Sequence, residues 1–588
     1  MRYKLYKPIN KNYSAIQQIL YNRGIPIEQI PAYINASDKD INDYNLLGRE
    51  NLKNAATALI TTIQLEKDAV VVVDCDCDGM GSAAILINYL YRFFPSWVKS
   101  HLTWLLHEGK QHGLNDCWKK IIESRVSLVL CPDSSSNDYN EHEELSKKGI
   151  QVVILDHHEA PFISEDAITI NNQLSDYPNK DFCGGGIVWQ FCRYLDEIQN
   201  VNTADDFLDL VALTNTSDMM SLKSIETKYL INKGFEPERI HNPFIYHMWQ
   251  KNKFKLGEHI TSWGAAFYIA PFVNAILRSG TQEEKEIVFQ SMLEHKAFEQ
   301  VLSTKRGHSI GETESVVEQA IRICTNVKNR QTKQEEAGLA LIEDRIKTNN
   351  MMNNKVLLFL IEPGEIPRNI AGLVANKVMG RYQKPCCILT KGELEGKNIY
   401  SGSARGCDAV DVREFKDICE GTGLSIYATG HQGAFGLALY ESDIQNFIQQ
   451  TNEILKDMSS EPIHFVDYIF EQNEVDSTKI IDISEMGYLW GKDIPESLIA
   501  IKDLKITKDM VTLMSPDKHP TLKIVIPGTN TSLIKFGSSQ KEYEQFLSNG
   551  FIKADFVGYC AKNEWNGNIS AQIKIHDYEI KESCKYMF

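Results

Sequence analysis

AVVVVDCDCDGMGSAAILINYL, residues 69–90, reads as a buried β-branched strand, a turn rich in Asp and Gly, and then a helix of small and apolar residues. Two similar runs follow, SLVLCPDSSSND at 127–138 and IQVVILDHHEA at 150–160, each ending an apolar strand in acidic or histidine residues. A helix-like stretch from Glu141 to Lys148 lies between them. Strands alternating with helices imply a parallel sheet, and such sheets place ligands at the carboxyl ends of their strands. The three polar clusters all fall at that end. A fourth element, LDLVALTNTSDMMSL at 208–222, again runs from apolar residues into an acidic one, Asp218.

Beyond this region, Val316, Ala320, Ile323 and Val327 share one helical face between Glu312 and Lys333, predicting a connecting helix. A second α/β unit starts at KVLLFLIEPGE (355–365) and continues through NIAGLVANKVMGRY and KPCCILTK to the Gly-rich stretches SGSARG and ATGHQGAFG. After about residue 460, five short strands with turns, from LIAIKDLKI to NISAQIKIHDY, suit a small β-barrel of the OB type. The predicted class is thus α/β. A parallel-sheet domain with its N-terminal segment covers 1–310, a connecting helix and linker 311–350, a second α/β domain 351–458 and an OB-type β-barrel 459–588.

At 588 residues the chain exceeds what one hydrophobic core supports. No segment approaches the roughly 18 uninterrupted apolar residues of a membrane span, and no secretory signal is readable at the start, so a soluble, cytoplasmic protein is expected. Thirteen cysteines without framework spacing fit buried thiols in a reducing compartment, and the absence of CxxC argues against zinc. With a net charge of -16, any polyanion has to be held by local basic residues and bound cations.

Asp74, Asp76 and Asp78 alternate with Cys75 and Cys77 before Gly79 turns the chain into a helix. Carboxylates this close repel one another, and sharing divalent cations keeps them ionised. A solvated acidic loop fits poorly, because the group follows the buried run Val70–Val73 directly. An EF-hand fits no better, since Ile85 stands at its twelfth position. His157 and His158 follow Asp156 at another strand end. Mixed carboxylate and imidazole ligation suits Mn²⁺ or a similar ion, and a pair of ions can activate water and stabilise both oxygens of a phosphoryl displacement.

DCDCDG at 74–79, Asp133, DHH at 156–158 and Asp218 resemble, in order and spacing, the four motifs of the DHH phosphoesterases. Within them the chain is most similar to the RecJ family of single-strand-specific 5′→3′ DNA exonucleases. YNRGI, LDLVAL, PFVNAILRSG, AGLVANKV, GSAR, GHQGAFG and NEWNG extend the likeness over nearly the whole chain. The resemblance implies a site for two Mn²⁺ or Mg²⁺ ions held by Asp74, Asp76, Asp78, Asp133, His157 and Asp218, with Asp133 bridging. It places His158 beside the scissile phosphate, with Asp133 and Asp74 in the catalytic group. Asn274 and Arg278 match a phosphate-contacting segment, and Ser403, Arg405, Gly430 and His431 match the associated domain that clamps the strand. It further implies a single-stranded DNA substrate threading between the two α/β domains, a monomer, and a single-strand-binding protein or helicase as partner.

Three departures stand out. Family members usually carry DCG where this chain has Asp133-Ser134-Ser135, and GGH appears as Thr429-Gly430-His431. An arginine associated with the 5′ end is matched by His107, with Lys110 close by. Among the terminal aromatics, strand alternation places half inside, leaving Trp565 in its Gly-Asn turn as the candidate for base stacking. Two other readings remain: an oligoribonuclease or cyclic-dinucleotide phosphodiesterase of the same family, and a non-catalytic replication scaffold. The length and terminal domain argue against the former, and the full set of acidic and histidine motif positions against the latter.

Overall fold

The computed structural model describes residues 1–109, 111–410, 412–458, 463–547 and 550–584. The chain forms two compact units. One comprises Ile25–Asn329 with Gly487–Pro495, and the other comprises Met1–Gly24, Arg330–Met486 and Glu496–Phe588.

In the first unit, five parallel strands form one sheet: β1 (Ala69–Val73), β2 (Leu102–Leu106), β3 (Leu128–Pro132), β4 (Gln151–Asp156) and β5 (Ile168–Asn171), in the order β2-β1-β3-β4-β5. Helices cover parallel sheets on both faces, which is why β1 and β3 are apolar without alternation and buried at every residue. Helix α1 (Cys77–Phe93) starts on Asp76, whose carboxylate caps it by accepting from the Gly79 amide at 2.9 Å. It packs against α2 (Gly184–Gln199) and α3 (Leu208–Ser217). The crossing is tight: a Cβ at Gly81 or at Gly185 would lie 2.3 Å from the Thr214 side chain. The fourth apolar run is therefore a helix, α3, and Asp218 is its C-cap. Helix α4 (Ala270–Ser279) packs against α1 and α3.

The predicted connecting helix exists and is longer than its apolar stripe suggested. As α5 (Val316–Thr348) it continues past Lys333, where Ile342 and Ile346 join the core of the second α/β layer.

That layer contains β6 (Leu357–Ile361), α6 (Arg368–Tyr382), β7 (Cys386–Leu394), β8 (Lys397–Arg405), β9 (Ser425–His431) and β10 (Ala434–Tyr440). The sheet order is β9-β10-β8-β7-β6, parallel only between β6 and β7.

Among the described residues, the large terminal sheet holds seven strands rather than five: β11 (Tyr468–Glu471), β12 (Leu498–Ile506), β13 (Val511–Met514), β14 (Thr521–Ile526), β15 (Thr531–Phe536), β16 (Phe551–Trp565) and β17 (Asn568–Cys584). They form one sheet in the order β11-β12-β16-β17-β15-β14-β13. The expected barrel is not closed, because its edge strands β11 and β13 do not pair with each other and are four residues long, which leaves little edge to join.

The start of the chain belongs to this second unit. Arg2–Leu5 pairs in parallel with Ile463–Val466. Buried Asp467 accepts two bonds from the Arg23 guanidinium, at 2.8 and 2.9 Å, and one from Asn22 Nδ2 at 2.8 Å. No helix among the described residues is long and apolar enough to cross a membrane.

Candidate active site

The strand ends of the first unit bring the sequence motifs together. Asp74 leaves β1, Asp133 follows β3, Asp156 ends β4, and His157 and His158 continue from it. Asp78 projects from the first turn of α1, where the Gly184 and Gly185 amides at the start of α2 donate to its two oxygens at 2.9 and 3.0 Å. Ser82 Oγ donates to the same carboxylate at 3.0 Å. A helix N-terminus presents unpaired amides that suit an acceptor, so α2 fixes the orientation of the Asp78 carboxylate.

His157 Nε2 lies 3.3 Å from Asp133 Oδ1, 3.5 Å from Asp218 Oδ2 and 3.9 Å from Asp78 Oδ2. Asp133 Oδ1 is buried and makes no hydrogen bond among the described residues. Two sets of donors could each hold a cation: Asp74 with Asp76 and Asp133, and Asp78 with His157 and Asp218, the donor atoms of each set lying within 4.8 Å of one another. Asp133 also groups with Asp156, His157 and His158. A divalent ion fits this place, because an unsatisfied buried carboxylate oxygen amid five further donors is otherwise costly.

The electrostatics agree. Burial, then repulsion from Asp78 and Asp74, pushes Asp76 up to about 6. Burial with Asp78 and Asp76 pushes Asp218 up to about 8, and the same forces raise Asp133 well above the usual carboxylate range. Burial lowers His157, leaving it the neutral imidazole that a metal ion requires.

His158 differs from its neighbour. Its Nδ1 contacts Asp156 Oδ1 at 2.7 Å, while the Asp156 oxygens also accept from the amides of His157 at 2.7 Å and Ser136 at 3.1 Å. Burial pulls His158 down, but the hydrogen bond and charge of Asp156 outweigh it and raise the imidazole to about 9. Asp156, despite burial, is held below the ordinary carboxylate range by His158 and His157. Side-chain exposure of 54% leaves the His158 ring accessible.

Several supports escaped the sequence reading. His112 Nδ1 contacts Asp74 Oδ2 at 2.7 Å, and the Gly113 amide donates to Asp74 Oδ1 at 3.3 Å. Asp133 and Ser135 occupy left-handed backbone at φ 65° and 81°, a region that favours glycine. The Ser135 hydroxyl is held by Asp138 at 2.7 Å and His142 at 3.2 Å, which anchors a serine where the family usually places glycine.

Asn274 and Arg278 lie on α4, half-buried and exposed respectively. His107 is turned inward: its Nδ1 contacts Asp116 at 2.8 Å and its side chain is 2% exposed. Lys110 lies outside the described residues.

In the second unit, Arg405 on β8 and His431 on β9 both pair with Ala434 of β10, so the two flank a single strand position. Ser403 lies two residues back on β8, and Gly430 takes φ 129°. A Cβ at Gly372 on α6 would fall 2.4 Å from Arg405 Nη2, so the small residue makes room for the guanidinium. Trp565, 72% exposed, stands where the β16–β17 hairpin turns through Asn566 and Gly567.

Acidic and imidazole groups converging at the strand ends of a parallel sheet define a phosphoesterase-type site. Comparison with known proteins agrees. The DHH family, N-terminal domain, matches residues 68–214, and the RecJ OB domain matches 466–577. The putative SPbeta prophage-derived single-strand DNA-specific exonuclease YorK of Bacillus subtilis is 33% identical over 583 residues, covering 99% of this chain and 98% of that protein. The single-stranded-DNA-specific exonuclease RecJ of the same organism is 22% identical, over 96% of this chain and 68% of its own length. Among solved structures, RecJ of Thermus thermophilus in complex with Mn²⁺ superposes with a TM-score of 0.70 at 17% identity, covering 99% of this chain and 80% of that one. The chain belongs to the DHH family, in its RecJ branch.

Proposed function

We propose that the chain is a metal-dependent exonuclease for single-stranded DNA, working 5′→3′ and releasing mononucleotides. The observation that carries this is Asp133 Oδ1, a buried oxygen that makes no hydrogen bond among the described residues and belongs to a residue shared by two groups able to hold a cation. Mn²⁺ or Mg²⁺ bound there would supply an activated water and charge neutralisation for phosphodiester hydrolysis. The names of the relatives, including one 33% identical over nearly the whole chain, support the substrate.

The residues divide the work. Asp74, Asp76, Asp78, Asp133, His157 and Asp218 hold the ions. Asp156 keeps His158 protonated and orients its ring, so that the imidazolium can donate a proton to the departing sugar oxygen as the P–O bond breaks. Asn274 and Arg278 contact phosphate in the same unit. In the other unit, Ser403, Arg405, Gly430 and His431 hold backbone, and Trp565 offers a ring to a base.

Digestion of strands blocked at the 5′ or the 3′ end, with Mn²⁺ and then Mg²⁺, tests the reading. Mononucleotide release from free 5′ ends is expected, abolished by Asp133→Ala and by His157→Ala. Undiminished nuclease activity in both variants would refute it. Faster cleavage of a dinucleotide than of a long strand would instead favour a small-substrate phosphodiesterase.

A further inference from the structure

A short helix of the first unit, Ser262–Tyr268, carries aromatic rings on its solvent face. Its inner side, with Ser262, Gly264 and Ala265, is buried, and the helix packs against α3, which presents Asp218, and against α4. One turn apart on the outer side, Trp263 and Phe267 are 42% and 57% exposed, their ring centroids 4.6 Å apart at an interplanar angle of 32°. Tyr268 meets Trp263 edge-on at 5.9 Å, and Lys255 Nζ stands 5.1 Å from the Tyr268 ring. In the preceding turn Phe254 is fully exposed.

Pairing between i and i+4 side chains steadies an isolated helix by only about 0.2–0.5 kcal/mol, too little to account for so much ring surface in water. Contiguous exposed apolar surface of this kind marks an interaction site. Its charge indicates the partner. Lys251, Lys253 and Lys255 face a single acidic residue, Glu258, between 251 and 268, a local positive surplus in a chain of net charge -16. Protein-docking cores are depleted in lysine, whereas single-stranded nucleic acid is bound by aromatic platforms interleaved with cations.

We propose that Trp263 and Phe267 form a second contact for single-stranded DNA, stacking successive bases while Lys255 neutralises adjacent phosphate. Every base offers a π-face, so the contact is indifferent to sequence, as an enzyme that consumes whole strands requires. The inference rests on the nuclease reading and extends it to nucleotides beyond those being cut.

The test is binding in EDTA, where nothing is hydrolysed, of a labelled oligothymidylate of about 20 nucleotides, longer than one binding module covers. Fluorescence anisotropy and quenching of tryptophan emission are read together. Trp263→Ala/Phe267→Ala is expected to weaken binding about 30-fold or more, from the loss of two stacked bases at roughly 1–3 kcal/mol each. Trp263→Tyr should retain most of the affinity, and the double variant should cleave a dinucleotide at the wild-type rate. Lys255→Glu, at an exposed position, should weaken binding and reduce its salt dependence even if the double variant folds poorly. Wild-type affinity in both the double variant and Lys255→Glu would overturn the inference and leave the nuclease reading intact. So would a wild-type dimer dissolved by the double substitution, which would assign the rings to a second copy of the chain. A wild-type protein that neither binds nor cuts strands would overturn both.

Discussion

Gly184 and Asp133 approach so closely that a methyl group on the glycine would fall 2.4 Å from Asp133 Oδ1 and 2.7 Å from its Cα. The backbone of α2 thus forms the floor against which the Asp133 carboxylate rests, while its Gly184 and Gly185 amides hold Asp78.

Gly184→Ala should therefore displace Asp133 without removing any donor. The expected result is a loss of Mn²⁺ affinity and nuclease activity of about 10- to 100-fold, with an overpacking cost of about 1–3 kcal/mol. Calorimetric Mn²⁺ titration alongside a thermal melt checks it; unchanged affinity would show that the helix can yield.

Raised carboxyl groups give the metal-free protein an unusual pH dependence. Asp76 at about 6, Asp218 at about 8 and the elevated Asp133 keep protons that the unfolded chain, with carboxyls near 3.8, has already released. Between pH 4 and 8 the folded state binds more protons, so stability falls as pH rises through that window. In EDTA the melting temperature of the unit should drop from pH 5 to pH 8, and saturating Mn²⁺ should remove most of the drop. A melting temperature that rises with pH in EDTA would contradict the site electrostatics.

Asp156 makes its own prediction, because it sustains the charge of His158. In Asp156→Asn the imidazole should titrate at least one unit below the wild-type value of about 9, and the basic limb of the kcat profile should move down with it. Loss of activity at pH 8 should exceed loss at pH 6. A uniform fall across pH would assign Asp156 a purely structural role.

Breaking the buried pair in the second unit should be costly. Asp467→Ala removes the carboxylate that pairs with the Arg23 guanidinium, whose side chain is 2% exposed, and is expected to destabilise that unit by about 3–5 kcal/mol. Adding Arg23→Met should recover much of this, since no uncompensated charge remains. Urea denaturation of the single and double variants measures the difference.

The sites most legible in the sequence were those in which a strand runs directly into its ligand. Val70–Val73 before Asp74 and Val152–Leu155 before Asp156 each announce both a buried strand and the polar end that follows. Features built from distant pairings were not legible. His112 reaches Asp74 from an irregular loop without periodicity, and the inward turn of His107 depends on Asp116. The open edge of the terminal sheet depends on which strands fail to meet. The end of α5 is not legible because the polar run from Lys333 to Glu336 interrupts the apolar pattern, although Ile342 and Ile346 resume it beyond.

The strand at Arg2–Leu5 has a consequence for biosynthesis. Its partner, Ile463–Val466, emerges only after some hundreds of further residues, and at roughly 5–20 residues per second this takes on the order of half a minute. The opening segment of the nascent chain must wait while most of the phosphoesterase region is translated and can begin to fold. A fusion or deletion at the start of the chain is thus an intervention in its last domain.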